Sequence, residues 1–142
     1  MLKIRAHHLL CIPRYYSGGY NKTFAARHKK VCSDIRKNPS QKIMIIRKVD
    51  DLCAKCPNRK GSICIQKPDS NEHVMHLDAK VLNRLRIKEN SVHTAKDIFN
   101  LSMNKIPSVK GVCSKCDTYY ESCTGGRDGT GINNSFKSDL NK

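Results

Sequence analysis

Seven of the eight cysteines of this chain fall into patterns that suit metal binding. Two clusters have the C-x2-C spacing with a third cysteine shortly downstream: Cys53, Cys56 and Cys64 in the first, and Cys113, Cys116 and Cys123 in the second. Two residues between cysteines let both thiolates of one turn face the same ion or cluster. The repeated spacing therefore predicts metal or iron–sulfur centres.

The seventh candidate ligand is Cys11, which closes the run His7-His8-Leu9-Leu10-Cys11. Seven thiolates and one of the two histidines would supply two four-coordinate centres. Each triad would then hold three corners of a centre and take its fourth ligand from elsewhere, as is common in 4Fe–4S clusters. One 4Fe–4S cluster on four cysteines, or an open fourth corner at each triad, remains an alternative.

Structural zinc is the main competing interpretation, because cysteine-only sites suit both kinds of centre. Structural zinc more often uses two ligand pairs that complete a tetrahedron, so the triads favour iron–sulfur. Stabilising disulfides rank third, since thiols stay reduced in the cytoplasm. Cys32 lies beside Val31 on the inward stripe of a predicted helix, and we interpret it as a small core residue.

The charge of +15, from 27 basic and 12 acidic residues, raises the question of nucleic-acid binding. The sequence has no arginine-rich stripe and no RNP-like or helix-turn-helix signature. We therefore interpret the lysines as solvating the surface, and keep nucleic acid as an alternative that is not favoured. No segment has the apolar length of a membrane helix, and the first residues lack a signal-peptide core. The expected location is cytoplasmic.

The elements that must position these ligands are short. The alternation in residues 2–5 predicts a strand, and the apolar run 43–46 predicts a second strand paired with it. Apolar residues at helical spacing predict helices over residues 24–37, 72–86 and 95–104. Thr94 is the expected N-cap of the last. The predicted fold is α+β, with a small two-stranded sheet, about three helices and two cysteine-rich metal-binding loops.

One domain is expected over residues 1–123, followed by a disordered tail over 124–142, where apolar residues are scarce. With 38% apolar residues and no Trp, the core should be modest. Metal binding is therefore expected to contribute to folding.

These motifs together resemble domain-of-unknown-function family 1284, small bacterial and archaeal proteins proposed to bind iron–sulfur. The resemblance rests on Ile4-Arg5-x-His7-His8-Leu9-Leu10-Cys11 and on Asp50-Asp51-Leu52-Cys53-x-x-Cys56-Pro57, and it covers roughly residues 2–123. It implies cluster binding by the seven cysteines outside the predicted helix and draws attention to His7 and His8. It implies no reaction, and no catalytic residue is assigned.

The favoured hypothesis is a small cytoplasmic iron–sulfur protein with one or two 4Fe–4S clusters and a redox role, acting with an unidentified redox partner. A second hypothesis is a structural zinc protein that binds nucleic acid through its basic surface. A third is an enzyme whose 4Fe–4S cluster keeps an open iron site for substrate.

Overall fold

A computed structural model describes residues 1–15, 22–47, 59–60, 63–64, 70–108 and 132–142 of the chain. Its strands are β1 (Leu2–Arg5), β2 (Lys42–Ile46), β3 (Arg59–Lys60), β4 (Ile63–Cys64) and β5 (Val92–Thr94). Its helices are α1 (His8–Cys11), α2 (Lys22–Lys37), α3 (Ser70–Leu85), α4 (Ala95–Lys105) and α5 (Asn134–Leu140), with a 3-10 turn at Ile12–Arg14. The architecture is α+β, as the sequence predicts.

The central sheet has the strand order β1-β2-β5. β1 and β2 run parallel, with Leu2 opposite Ile43 and Arg5 opposite Ile46, so the predicted pairing is confirmed. The expectation of two strands is wrong, because β5 adds an antiparallel third strand beside β2. Its three residues are too few for an alternating pattern to stand out. β3 and β4 form a separate antiparallel hairpin.

The three predicted helices are confirmed as α2, α3 and α4, with ends that differ from the prediction by at most two residues. The Thr94 side chain caps α4, because its Oγ1 accepts a hydrogen bond from the Asp97 amide at 3.2 Å. The expectation of about three helices is too low, since α1 and α5 bring the described part of the chain to five.

Helix α5 corrects the prediction of disorder for residues 134–140, the part of the predicted tail (residues 124–142) that the helix occupies. Phe136 and Leu140 are 1% and 0% exposed, and the Phe136 ring packs edge-on against Phe99 with centroids 5.6 Å apart. The Asn133 side chain caps the helix by accepting from two of its first amides. Two apolar residues four apart give a short helix one buried face, even within a polar stretch. Residues 124–131 of the tail lie outside the described part of the chain.

One hydrophobic core joins the sheet to the helices. Its members come from β1, α1, α2, β2, α3, α4 and α5, and include Ile4, Leu9, Leu10, Ile35, Ile43, Ile45, Val81, Ile98, Phe99 and Phe136. Cys32 is 8% exposed within this core. The described core thus includes Cys32, in accordance with its interpretation as a small core residue, and draws on both ends of the chain.

Candidate functional site

The parallel pairing of β1 and β2 places their carboxyl ends at the same edge of the sheet, which we call the carboxyl edge. β1 leads there into α1, which ends at Cys11. β2 leads there toward Cys53, the first member of the first cluster. The Ala6 amide donates to the Ile46 carbonyl at 2.9 Å, so the two chain segments remain bonded as they leave the sheet.

A buried carboxylate on α3 holds the start of α1 at this edge. Asp78 is 0% exposed, and its Oδ2 accepts from Nε and Nη2 of Arg5 at 3.0 and 2.7 Å. Its Oδ1 accepts from the His7 amide at 2.9 Å and lies 2.7 Å from Nδ1 of the His7 ring. Arg5 is 2% exposed, so this is a desolvated ion pair whose acceptors are fully used.

The protonation states follow from this environment. Burial lowers the pKa of His7 from 6.5 to about 4, helped by the nearby charge of His8 and only partly offset by Asp78. Burial alone would raise the pKa of Asp78, but the hydrogen bond with His7 and the Arg5 guanidinium hold that pKa below its ordinary value. At neutral pH the pair is therefore a carboxylate and a neutral imidazole.

The carboxylate also selects the tautomer of the His7 ring. An ionised carboxylate only accepts hydrogen bonds, so Nδ1 of His7 carries the ring proton and donates it to Asp78. The lone pair then belongs to Nε2. Many metal-binding histidines have this arrangement, with one ring nitrogen held by a carboxylate and the other directed at the metal. His7 is thus prepared chemically for ligation.

Acid should destabilise the metal-free protein through His7. The unfolded imidazole takes up a proton near pH 6.5 and the folded one only near pH 4, so the unfolded state binds more protons between these values. The free energy of unfolding is therefore retained above pH 6.5 and falls as the pH drops toward 4. Urea unfolding curves across this range measure the loss. The variant His7→Gln should show a smaller loss, and equal losses in both proteins would contradict the assignment.

A second tether connects α1 with the segment that carries the second cluster. Arg14 is fully buried, and its Nη1 donates to the Leu10 carbonyl at 3.0 Å. Its Nη2 donates to the carbonyls of Ile106 and Pro107 at 3.2 and 3.4 Å. Pro107 lies six residues before Cys113. The second cluster's segment therefore starts beside the 3-10 turn that follows Cys11.

A third tether connects the end of β2 with α3. Nη2 of Arg47 donates to the Met75 carbonyl at 3.1 Å, and Nη1 lies 3.7 Å from the Glu89 carboxylate. Cys53 follows Arg47 by six residues. Cys64 lies in β4, which contacts α3. α3 therefore contacts β4 and both chain segments that leave the carboxyl edge.

The structure describes only some of the predicted ligands. Cys53, Cys56, Cys113, Cys116 and Cys123 lie outside the described residues, and for Cys64 only its place in β4 is described. Cys11 is half-buried at the end of α1, and the rings of His7 and His8 meet edge-on with centroids 4.5 Å apart. Among the side chains that are described, no three His, Cys, Asp or Glu residues form a metal-binding group. Ligation by the nine residues stays a prediction.

Sequence reasoning did not identify Asp78, although a signal was present. Asp78 lies three and seven residues before Val81 and Leu85, so it belongs to the apolar stripe of α3. An acid at an inward position must have a partner, because an unpaired buried charge is costly. That pattern predicts a buried cation, but it does not identify Arg5.

A protein-family model described as "Protein of unknown function (DUF1284)" matches residues 19–123, which include both cysteine clusters. The match confirms the family that the motifs resemble, but the run at residues 7–11 lies outside the matched range. No curated protein and no solved structure matches the chain significantly. Within the described residues, no helix has the length and apolar character needed to cross a membrane.

Proposed function

Because the chain belongs to DUF1284, a family that supplies no reaction, we propose from its own residues that it is a small iron–sulfur protein with a redox role, such as electron transfer. The observation that carries the proposal is that the segments bearing the cysteines begin near one another. α1 and the first cluster's segment leave the sheet at the carboxyl edge, and Arg14 holds the second cluster's segment beside the turn after α1.

Chain length permits these segments to supply ligands to shared centres. Cys53 lies six residues from Arg47, and Cys113 lies six residues from Pro107. An extended residue spans at most about 3.5 Å, so each cysteine stays within about 20 Å of its tethered neighbour. Cys11 follows the tethered His7 by a single helical turn. Remote fourth ligands for the triads are therefore within reach.

The donor set fits iron–sulfur chemistry. Soft thiolates suit iron–sulfur clusters, and two triads leave one ligand to be found for each. Cys11 is the proposed fourth ligand of one centre. Nε2 of His7 is the proposed fourth ligand of the other, because Asp78 holds the opposite ring nitrogen. A bound cluster would supply one-electron chemistry, and the positive surface would attract an acidic redox partner.

Anaerobic purification followed by iron and sulfide analysis tests the proposal. We expect a brown protein with broad visible absorption and about four or about eight iron atoms per chain, as one or two 4Fe–4S clusters require. A colourless protein with stoichiometric zinc would overturn the proposal and make the metals structural.

Replacement of single cysteines tests the assignment of ligands. Cys11→Ser should reduce the iron and sulfide content and change the EPR spectrum, because it removes a thiolate ligand. Cys32→Ala is the matched control, since Cys32 lies on α2 and is buried in the hydrophobic core. Its replacement should leave the iron content unchanged. Full iron content in Cys11→Ser would exclude Cys11 as a ligand and favour the enzyme with an open iron site.

A further inference from the structure

A cavity of about 390 Å³ lies between α2 and α5. Helix α2 lines it with residues 29, 32, 33, 36 and 37, which share one face because they are three, four, seven and eight residues from the first. Its volume falls within the range of small-molecule sites and greatly exceeds the space needed for one water. No part of the proposed redox role uses this cavity.

The floor of the cavity is apolar and well packed. Ile12 and Phe136 line it and are each 1% exposed. The Tyr15 ring stacks on His28 with centroids 3.6 Å apart, and the Cys32 sulfur lies 3.4 Å from Nδ1 of His28. Burial raises the pKa of Cys32 to about 12, so the thiol stays protonated and is a poor nucleophile. These contacts suit binding of an apolar group and disfavour covalent chemistry.

The rim of the cavity is cationic. Lys29 and Lys37 are exposed and form no ion pair with any of the described residues. Asp139 is the acidic side chain of the lining, and it accepts from Nε of Arg36 at 2.8 Å and lies 3.0 Å from the Lys142 ammonium. Two cations thus already compensate this carboxylate, which leaves the charges of the two rim lysines available to a ligand.

We propose that this cavity binds a small organic anion, whose apolar body packs on the half-buried Tyr15 ring beside Ile12 and Phe136 and whose carboxylate or phosphate binds the rim lysines Lys29 and Lys37. Both halves of the ligand contribute. The apolar body loses water-exposed surface, and the acidic head gains charge-assisted hydrogen bonds from the lysines. The site needs no metal, so its test is independent of the iron content.

Titration of the ¹⁵N-labelled full chain, followed by NMR, tests the proposal with four probes. Octanoate and octyl phosphate carry both halves of the ligand, and because both have an alkyl chain they distinguish a carboxylate from a phosphate head. Octan-1-ol and inorganic phosphate carry one half each. We expect octanoate or octyl phosphate to bind more tightly than either single half, with amide shifts at Ile12, Ser33 and Phe136.

Two charge-matched variants complete the test. Lys29→Gln with Lys37→Gln should weaken binding of the amphiphilic anion by about tenfold or more, because it removes charged donors. Lys22→Gln with Lys30→Gln removes the same charge at the same spacing on α2 but outside the cavity lining, and it should leave binding unchanged. The proposal would be overturned if octan-1-ol or inorganic phosphate bound as tightly as the amphiphilic anions. It would also be overturned if the two double variants had equal effects, or if neither amphiphilic anion bound.

Discussion

Asp78→Asn should lower the free energy of unfolding by about 3–5 kcal/mol, the usual effect of removing one partner of a buried ion pair. The substitution keeps the size of the side chain but leaves the Arg5 guanidinium, 2% exposed, without a compensating charge. It also replaces a carboxylate oxygen that accepts from the His7 amide and ring. Urea unfolding at neutral pH, followed by circular dichroism, measures the change.

The same substitution at Asp139 provides the matched control. Asp139 also pairs with an arginine from a distant part of the chain, Arg36, at 2.7 Å, but the two side chains are 28% and 31% exposed. Solvent screens such a pair, so Asp139→Asn should shift the unfolding midpoint far less. Equal shifts for the two variants would show that burial of the pair between Arg5 and Asp78 does not increase its contribution to the free energy of unfolding.

A double variant separates the cost of an unpaired charge from the value of the pair. Replacing Arg5 by Met and Asp78 by Leu removes both charges while keeping apolar volume, and should restore much of the stability lost in Asp78→Asn. The proposed metal site should respond differently. Both variants lose the carboxylate that orients His7, so both should lose affinity at the centre that His7 is proposed to complete. Asp78 is therefore a positioning residue in the proposal.

The elements that repeat a local pattern were predictable. The alternation in β1 and the apolar spacing in α2, α3 and α4 are visible in the sequence because each pattern fits within a few turns or residues. The pairing of β1 with β2 is a long-range contact, yet it was expected because the apolar run of β2 needs a partner strand; its parallel direction and register were not predicted. Strand β5 was not predicted, because Val92-His93-Thr94 has one aliphatic residue and depends on β2 for its hydrogen bonds.

The candidate site was predictable in its ligands but not in what positions them. Cysteine spacing is a local pattern, and the structure's described residues do not test the ligation that it predicts. Asp78, Arg5 and Arg14 act through contacts between residues more than seventy positions apart. A local pattern identifies a buried charge at most, and it does not specify the partner. The carboxyl edge follows only from the parallel register.

The described core is larger than the composition led us to expect. The sequence, with few apolar residues, predicted that metal binding would supply folding energy. The described core is nevertheless continuous from β1 to α5. Apolar packing within this core should therefore supply folding energy of its own, and the stability of the core depends on that packing. Helix α5 is the most direct place to test that dependence.

Phe136→Ala should lower the free energy of unfolding by about 3–5 kcal/mol, as truncation of a buried aromatic side chain usually does. Phe136 is 1% exposed and packs edge-on against Phe99, so the substitution removes apolar burial and leaves a space in the core. Urea unfolding measures the loss. Lys137→Ala is the matched control, because the neighbouring side chain on α5 is exposed and its truncation should be nearly neutral.

Protease digestion tests whether the loss of stability in Phe136→Ala comes from release of helix α5 from the core. If α5 docks as described, Phe136→Ala releases the helix, and cleavage after residue 132 becomes faster while Lys137→Ala is cut at the wild-type rate. A Phe136→Ala protein with wild-type stability and wild-type cleavage would mean that α5 does not pack on the core. The predicted disordered tail would then be correct, although Phe136 and Leu140 lie four residues apart on one face of α5.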